Sequence, residues 1–193
     1  MIQVEKTSED RIRQGDILSA VEYIESAEEK EGIITVSKIT FPLVIVLTQD
    51  CDLTWDYHSR YDGSAHNQDK YLLSAIVAPI YNYEHFINGT HLSELNQEMR
   101  AFNSKATSTE NKALKNNETP RYHYLEFGPD IPVVNSVIDF KHYFTVNIEK
   151  LQQHKKTHFV CSVSELFRER ISQRFANYLS RIGLPDAAFS DKN

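Results

Sequence analysis

The stretch that decides the fold is Phe41-Pro42-Leu43-Val44-Ile45-Val46-Leu47, the longest apolar run in the chain. Its continuous, largely β-branched character predicts a strand that is buried on both faces. Pro42 stands near the start, where a strand best tolerates a missing backbone N–H. Because a membrane-spanning helix needs about 20 apolar residues, this run of seven is too short to be one. We therefore expect a chain without a membrane segment.

Shorter strand-like segments lie on both sides of this run. Upstream, Gly15-Asp16 opens a predicted strand over 17–24, and a charged turn over 25–32 leads to an alternating strand over 33–39. Downstream, further strands are predicted over 71–80, 121–127, 133–140, 143–148 and 159–161. The pattern indicates an α+β protein that is mostly β.

Two polar segments interrupt these strands. Residues 48–70 are predicted to form a loop. Residues 84–119 are predicted to form an insertion: 84–102 has weak helical spacing, and 103–119 has almost no apolar residues, which is typical of a mobile surface segment. We expect a single domain over 1–193. It consists of a barrel over 13–83 and 120–161, the insertion over 84–119, and a C-terminal helix over 163–182.

The C-terminal helix carries the clearest pattern. Its apolar stripe has i, i+4 spacing and consists of Phe167, Ile171, Phe175, Leu179 and Ile182. Ser162 and Glu165 have the spacing of a capping box, and Gly183 and Pro185 are typical of a helix end. Arginines lie off the stripe, at Arg168, Arg170, Arg174 and Arg181. They form either a solvated face or a surface that contacts a partner or a phosphate backbone.

Overall charge constrains the partners. The chain has 193 residues, a net charge of −6 and a pI of about 5.7, whereas proteins that bind nucleic acid over their whole surface are usually basic. A nucleic acid would have to meet a local patch. One candidate patch, in a connector between strands, consists of Lys150, His154, Lys155, Lys156 and His158. A solvated turn is the simpler interpretation of this cluster.

The cellular compartment is also an expectation from the sequence. The N-terminal residues 1–13 are charged and contain no apolar run, which predicts no secretory signal. Cys51 and Cys161 are not arranged as a disulfide framework, so reduced thiols and a cytoplasmic location are the simplest interpretation.

A catalytic hypothesis centres on Gln49-Asp50-Cys51-Asp52, which directly follows the buried strand. Cys51 could act as a nucleophile with His58 or His66 as its base. However, the two flanking aspartates disfavour a thiolate, since like charges repel. Alternatively Cys51 packs as a small apolar residue, while Asp50 and Asp52 cap a turn or bind a partner.

A metal hypothesis uses the same segment. Asp52, His58 and His66 have side chains that suit zinc or another divalent ion, but their spacing matches no established zinc motif. The sequence also contains no glycine-rich phosphate loop and no G-x-S-x-G motif. We therefore expect neither a metal nor another cofactor.

The order of the segments resembles the toxin fold of the MazF and PemK type, a small SH3-like barrel with a terminal helix. The residues that carry the resemblance are Gly15-Asp16-Ile17, Pro42–Leu47, Ile76-Val77-Ala78-Pro79-Ile80, Val137-Ile138-Asp139-Phe140, Leu151 and the stretch from Val163. The resemblance implies an SH3-like barrel, a bacterial defence or toxin–antitoxin setting, and the capacity to form a homodimer.

The catalytic residues of these toxins are not matched. The toxins carry an Arg before the first Pro and a Thr soon after the later one, whereas this chain has Phe41 and Ile80-Tyr81. We therefore expect a non-catalytic domain that binds nucleic acid or protein. The alternative is a hydrolase or ribonuclease that uses Cys51 and the Asp/His-rich loop over 50–66.

Overall fold

A computed structural model describes residues 1–6, 8–62, 68–103, 105 and 108–181. The strands are β1 (Val4–Glu5), β2 (Asp16–Lys30), β3 (Ile33–Val46), β4 (Ser74–Asn82), β5 (Tyr122–Leu125), β6 (Ser136–Asp139), β7 (Phe144–Asn147) and β8 (Phe159–Val163). The α-helices are α1 (Asp50–Tyr61), α2 (Tyr83–Ile87), α3 (Thr109–Lys115), α4 (Ile148–His158) and α5 (Glu165–Leu179). Short 3-10 turns cover Gln68–Lys70, Ser93–Leu95 and Phe140–His142.

The strands form one antiparallel sheet that curls into a half-barrel, in the order β1-β8-β2-β3-β4-β6-β5, with β7 also paired to β4. Strand β4 is the branch point: its first half pairs with β7 and β3, and its second half pairs with β6. The α+β class predicted from the sequence is confirmed. A curled half-barrel with helices is compatible with a small barrel fold.

The apolar run at 41–47 lies between two cores, as its composition predicts. Ile45 and Leu47 pack into a core that α5 covers, whereas Val44 and Val46 pack into a second core beneath α1 and α4. Because alternate side chains of a strand point to opposite faces, both faces of this segment must be apolar.

A third core lies in the insertion, which is more ordered than its composition predicts. Leu114 on α3 is buried against α2 and β5. The Tyr83 hydroxyl donates a hydrogen bond of 2.7 Å to Asn111. Within the segment predicted to be mobile, residues 109–115 thus form a helix, held by the buried Leu114 and by polar contacts that include two hydrogen bonds between Asn117 and Tyr124.

The rest of the insertion contains less helix than predicted. Helix α2 ends at Ile87, and a compact series of turns follows. Gly89 has φ +73, and a Cβ there would lie 2.2 Å from the Met99 carbonyl oxygen. The chain needs glycine at this position to fold back on itself.

Three segments predicted as loops are regular structure. The charged segment over 25–32 extends β2 and β3 as a ribbon, with its tight turn at Glu31-Gly32. Residues 50–61 form α1, although only Leu53 and Asp56 are buried on it. The basic connector over 150–158 belongs to α4. Helices with so few buried apolar residues carry weak sequence patterns, which is why they were missed.

The C-terminal helix begins later than predicted. Ser164 is its N-cap, without a side-chain capping bond, while Ser162 belongs to β8. Ile171 and Phe175 are buried as the stripe predicts, whereas Leu179 is 49% exposed. The predicted helix end, at 182–185, lies outside the described residues. None of the helices in the described part of the chain has the length and apolar content needed to cross a bilayer.

Candidate functional site

Asp50, a candidate binding residue, lies in a network of ion pairs at the start of α1. Arg11 donates two hydrogen bonds of 3.0 Å to its carboxylate, and the backbone N–H of Gln14 donates another. Arg168 approaches the same carboxylate at 3.6 Å. Burial by itself raises the pKa of Asp50, but the hydrogen bonds and charge of Arg11 outweigh it, so the pKa lies below its usual range. Asp50 thus joins the N-terminal segment, α1 and α5.

Cys51, the candidate nucleophile, is exposed on the first turn of α1. Its thiol contacts Gln49 at 3.7 Å and Asp52 at 3.8 Å. No histidine among the described residues forms a hydrogen bond with it, and His58 is instead paired with Asp62. The other candidate base, His66, lies outside the described residues. The described residues therefore do not provide Cys51 with a histidine base.

The metal hypothesis involves the same segment. Within the part of the chain that the structure describes, no group of three or more His, Cys, Asp or Glu side chains is arranged to hold a metal ion. Of the candidate ligands, Asp52 and His58 lie on α1, and His66 is outside the described residues.

The three lysines of the basic cluster differ in exposure, and Lys150 and Lys156 are the exposed ones. Lys155 is 2% exposed and forms a 2.8 Å ion pair with Asp16, which is fully buried. Burial raises the pKa of Asp16, and the charge of Lys155 opposes that effect. Lys156 faces solvent on the other side of α4. The expectation of a solvated turn is thus wrong for Lys155, because the buried Asp16 carboxylate requires its charge.

The arginines of α5 also differ from one another. Arg168 is 8% exposed and is held near Asp50 and Glu165. Arg174 donates hydrogen bonds of 2.8 and 2.9 Å to the carbonyl oxygens of Thr119 and Tyr122. Arg170 is exposed. The face off the apolar stripe is therefore not uniformly solvated, since two of its arginines bind other parts of the same chain.

A cleft opens where β3 and β4 diverge. The two strands pair only over Val44–Val46 and Val77–Pro79, after which β4 turns to pair with β6. Two adjoining cavities of about 370 and 500 Å³ occupy the space between them. The lining shared by both cavities consists of Ile39, Phe41, Tyr81, Leu92 and Leu95. The result is an open cleft with an apolar and aromatic lining.

Polar groups cluster at one side of this cleft. Tyr81 and His142 share a hydrogen bond of 2.9 Å between the hydroxyl and Nδ1. Asp139 lies 3.7 Å from the same nitrogen and receives two hydrogen bonds, of 2.8 and 2.5 Å, from Arg121. His91 packs between the rings of Tyr81 and Phe86.

The pKa values of these groups are displaced by their surroundings. Burial, with a smaller contribution from the charge of Asp139, raises the pKa of Tyr81. Burial lowers the pKa of His142, and Asp139 partly offsets the change. Burial and the neighbouring His142 lower the pKa of His91 to about 4. Both histidines are therefore held in their neutral form near pH 7 and can accept or donate a hydrogen bond there.

The walls of the cleft are the two segments that stand where toxins of the MazF and PemK type carry their catalytic residues. Phe41-Pro42 forms one wall, and Pro79-Ile80-Tyr81 forms the opposite wall. The sequence pattern identified both segments, but it gave no sign that His91, His142 and Arg121 lie beside them. These residues are far apart in the chain, and no motif spacing connects them.

A larger groove, of about 750 Å³, lies on another side of the same ribbon. It is bounded by the base of β2 and by α4, with Glu22 facing the His154–His158 pair, whose rings are stacked 3.9 Å apart. His154 donates a hydrogen bond to the carbonyl oxygen of Ser19, next to Ala20, whose φ is +53. These contacts join α4 to β2 where the ribbon leaves the sheet.

The comparisons do not assign the chain to a family. No protein-family model matches it, and no curated protein matches it significantly.

Proposed function

We propose that this chain is a non-catalytic protein-binding domain, related in fold to toxin ribonucleases of the MazF and PemK type, and that its cleft receives an extended polypeptide segment. The supporting observation is the lining of the cleft beside the edge of β3. Over residues 33–43, β3 pairs with β2 on one side and with no described strand on the other. Such an edge can pair with an added strand, while pockets beside it select alternate side chains.

The lining favours an apolar ligand segment. Tyr23 and Phe41 pack against Phe144 at centroid separations of 5.3 and 5.4 Å and continue the cleft towards Tyr143, which is 43% exposed. Aromatic side chains bury large areas and lose little conformational entropy, so they are common in sites that bind polypeptides.

Charge favours protein over nucleic acid as the partner. Lys155 and Arg168 are buried in ion pairs, and Arg174 binds backbone carbonyl oxygens. That leaves Lys150, Lys156, Arg170 and Arg181 exposed among these basic residues, divided between α4 and the C-terminal segment of a chain with net charge −6. Strong binding to a phosphate backbone usually requires several cationic contacts.

The proposed setting is a bacterial defence or toxin–antitoxin system, in the cytoplasm. The toxin-like order of segments supports the setting, and the two free cysteine thiols support a reducing compartment. Phe41 and Tyr81 at the places of the catalytic Arg and Thr support a binding role rather than RNA cleavage.

The test uses short random peptides displayed on phage, selected against the full chain. Binding of a selected peptide is then measured by fluorescence anisotropy for wild type and for I39K and L95K, both in the cleft wall. We expect each variant to weaken binding about tenfold or more, because a charge enters an apolar site. The matched control is L166K, since Leu166 is 75% exposed on α5 and lies away from the cleft.

Three results would count against this proposal. Selection could yield no peptide that competes at the cleft, or the control could lose affinity as much as the cleft variants. A labelled single-stranded RNA could also bind more tightly than any selected peptide, with I39K and L95K weakening that RNA complex. The last result would identify the partner as nucleic acid.

A second candidate function is general acid–base chemistry in the same cleft. The observation that favours it is the contact between Tyr81 and His142 beside Asp139, with displaced pKa values in a cleft. A hydrolase or ribonuclease based on Cys51 remains the alternative from the sequence. Cleavage of a labelled RNA that is lost in H142A but retained in C51S would support the cleft. The reverse result would support Cys51, and no cleavage by wild type would reject ribonuclease activity at both places.

A further inference from the structure

The ribbon formed by the distal parts of β2 and β3, residues 22–38, is here named the arm. Every residue of the arm is exposed. Beyond the base of the sheet, the arm has no described strand on either edge, because β8 pairs with β2 only over Asp16–Leu18. A lone two-stranded ribbon is at best marginally stable in water. The arm therefore gains stability if another surface covers it.

One face of the arm is apolar, and a bulge in β2 adds Ala27 to it. The register pairs Ile24 with Lys38 and Ser26 with Ser37, so β2 gains one extra residue at this point. Ala27 consequently pairs with Val36, and its side chain shares a face with Ile24 rather than pointing away. Without the bulge, Ser26 would pair with Val36 and lie on this face instead of Ala27.

The composition of the two faces differs accordingly. The apolar face carries Ile24, Ala27, Ile34 and Val36, with Glu29 towards the tip and Lys38 towards the base. Its larger side chains are exposed: Ile24 is 55%, Ile34 70% and Val36 48% exposed. The opposite face is mainly polar, with Ser26, Glu28, Lys30, Thr35 and Ser37, and carries Ile33 at the tip and Tyr23 at the base.

We propose that this apolar face is the surface through which two copies of the chain pair, arm against arm in opposite directions. The pattern is self-complementary about the Ala27–Val36 pair. A two-fold axis through that pair places the tip of one arm over the base of the other. Glu29 of one copy then approaches Lys38 of the second copy, and the reverse contact is equivalent, as a two-fold interface requires.

The two-fold pairing of the arms also places opposite charges next to each other. Lys38 already contacts Glu22 of its own chain, so a second carboxylate from Glu29 of the other copy completes a charge cluster at each end of the interface. Val36 meets its own counterpart on the axis, where no charge is present. The face of one arm presents six residues, whereas a standard interface has about 20–30 residues per partner, so we expect the dimer to dissociate on dilution.

The test is sedimentation velocity of the full chain over a wide range of protein concentration. We expect a monomer–dimer equilibrium in wild type, weakened about tenfold or more in V36E, which opposes two carboxylates on the axis. The matched control is T35E, which adds the same charge to the same strand but on the opposite face and should dimerise like wild type. The folding of both variants is checked by their melting temperatures.

A cross-linking measurement locates the contact independently. In a C51S background, a short bis-maleimide should join two V36C chains far more efficiently than two T35C chains. A wild type that is monomeric at every concentration would overturn the proposal. So would a dimer that is unaffected by V36E, or one that V36E and T35E weaken equally. None of these results depends on the cleft or on its ligand.

Discussion

Asp16 at the start of β2 and Lys155 on α4 form an ion pair of 2.8 Å that is removed from solvent on both sides. The same carboxylate accepts a hydrogen bond from the backbone N–H of Arg13, and the ammonium group donates to the Arg11 carbonyl oxygen. The pair thus holds the N-terminal segment, the sheet and α4 together. Lys155, a basic residue of α4, therefore stabilises the fold and is not part of the helix surface.

Replacing Lys155 with Met should lower the free energy of unfolding by about 3 kcal/mol, because Asp16 would remain buried without its counter-charge. Urea denaturation followed by circular dichroism measures the change. K156M is the matched control and should change stability by less than about 0.5 kcal/mol, since Lys156 is exposed. A loss of the same size in both variants would contradict the structural role of the pair.

His123 should make the protein less stable as the pH falls. Burial, with a smaller effect from Arg174, lowers its pKa to about 3 in the folded state, whereas an unfolded histidine titrates near its usual 6.5. Between these values the unfolded chain binds more protons, so stability decreases with falling pH by at most about 1.4 kcal/mol per pH unit. Urea denaturation at pH 7, about 5.5 and about 4.5 measures the slope. In H123Q the free energy of unfolding should depend less on pH. If the slope is the same as in wild type, other titratable groups cause the pH dependence.

Gly89 should not tolerate a side chain. In G89A the Cβ would collide with the Met99 carbonyl oxygen, and alanine strains a backbone with φ +73. We expect a loss of about 2 kcal/mol or more, together with earlier proteolysis inside the insertion. G32A is the control: its φ is +80, but nothing lies within 4 Å of the added Cβ, so the backbone cost alone should apply. If G89A and G32A lose the same free energy of unfolding, the chain around Met99 must shift to avoid the collision.

The two cysteines should react at very different rates. Cys51 is exposed, whereas burial, followed by the charge of Asp16, raises the pKa of Cys161 to about 11. Iodoacetamide at mildly alkaline pH should therefore add one group to the native protein and two to the unfolded protein, as measured by mass spectrometry. C51S should abolish the native reaction without changing stability. Native modification of Cys161 would contradict its burial.

The cleft was only partly accessible to prediction from the sequence. The patterns around Pro42 and Pro79 predicted the strands that form its walls, because continuous apolar runs identify buried strands. They did not predict the cleft itself, which depends on where β4 leaves β3 to pair with β6. His91 and His142 reach Tyr81 from segments that only the folded chain brings together.

In the arm, the sequence did not reveal that the strands continue through residues 25–32. Its residues alternate in a manner compatible with a strand, but Glu25, Glu28 and Glu29 make the segment resemble a charged turn. Between residues 25 and 32 the sole apolar side chain is that of Ala27, so the apolar alternation that identifies a strand is weak there. Helix α4 was missed for a related reason: its basic residues hide the fact that Lys155 points inwards.

The sequence by itself determined the α+β class, the buried strand at 41–47 and the C-terminal helix with its core positions Ile171 and Phe175. Each of these depends on the spacing of apolar residues within one segment, and local spacing is written directly in the sequence. Only the tertiary structure decided that Asp50, Arg168 and Lys155 form internal ion pairs, and that β3 and β4 diverge to open a cleft. Those features depend on which distant segments meet, and the pairing of the strands across the whole chain sets those contacts.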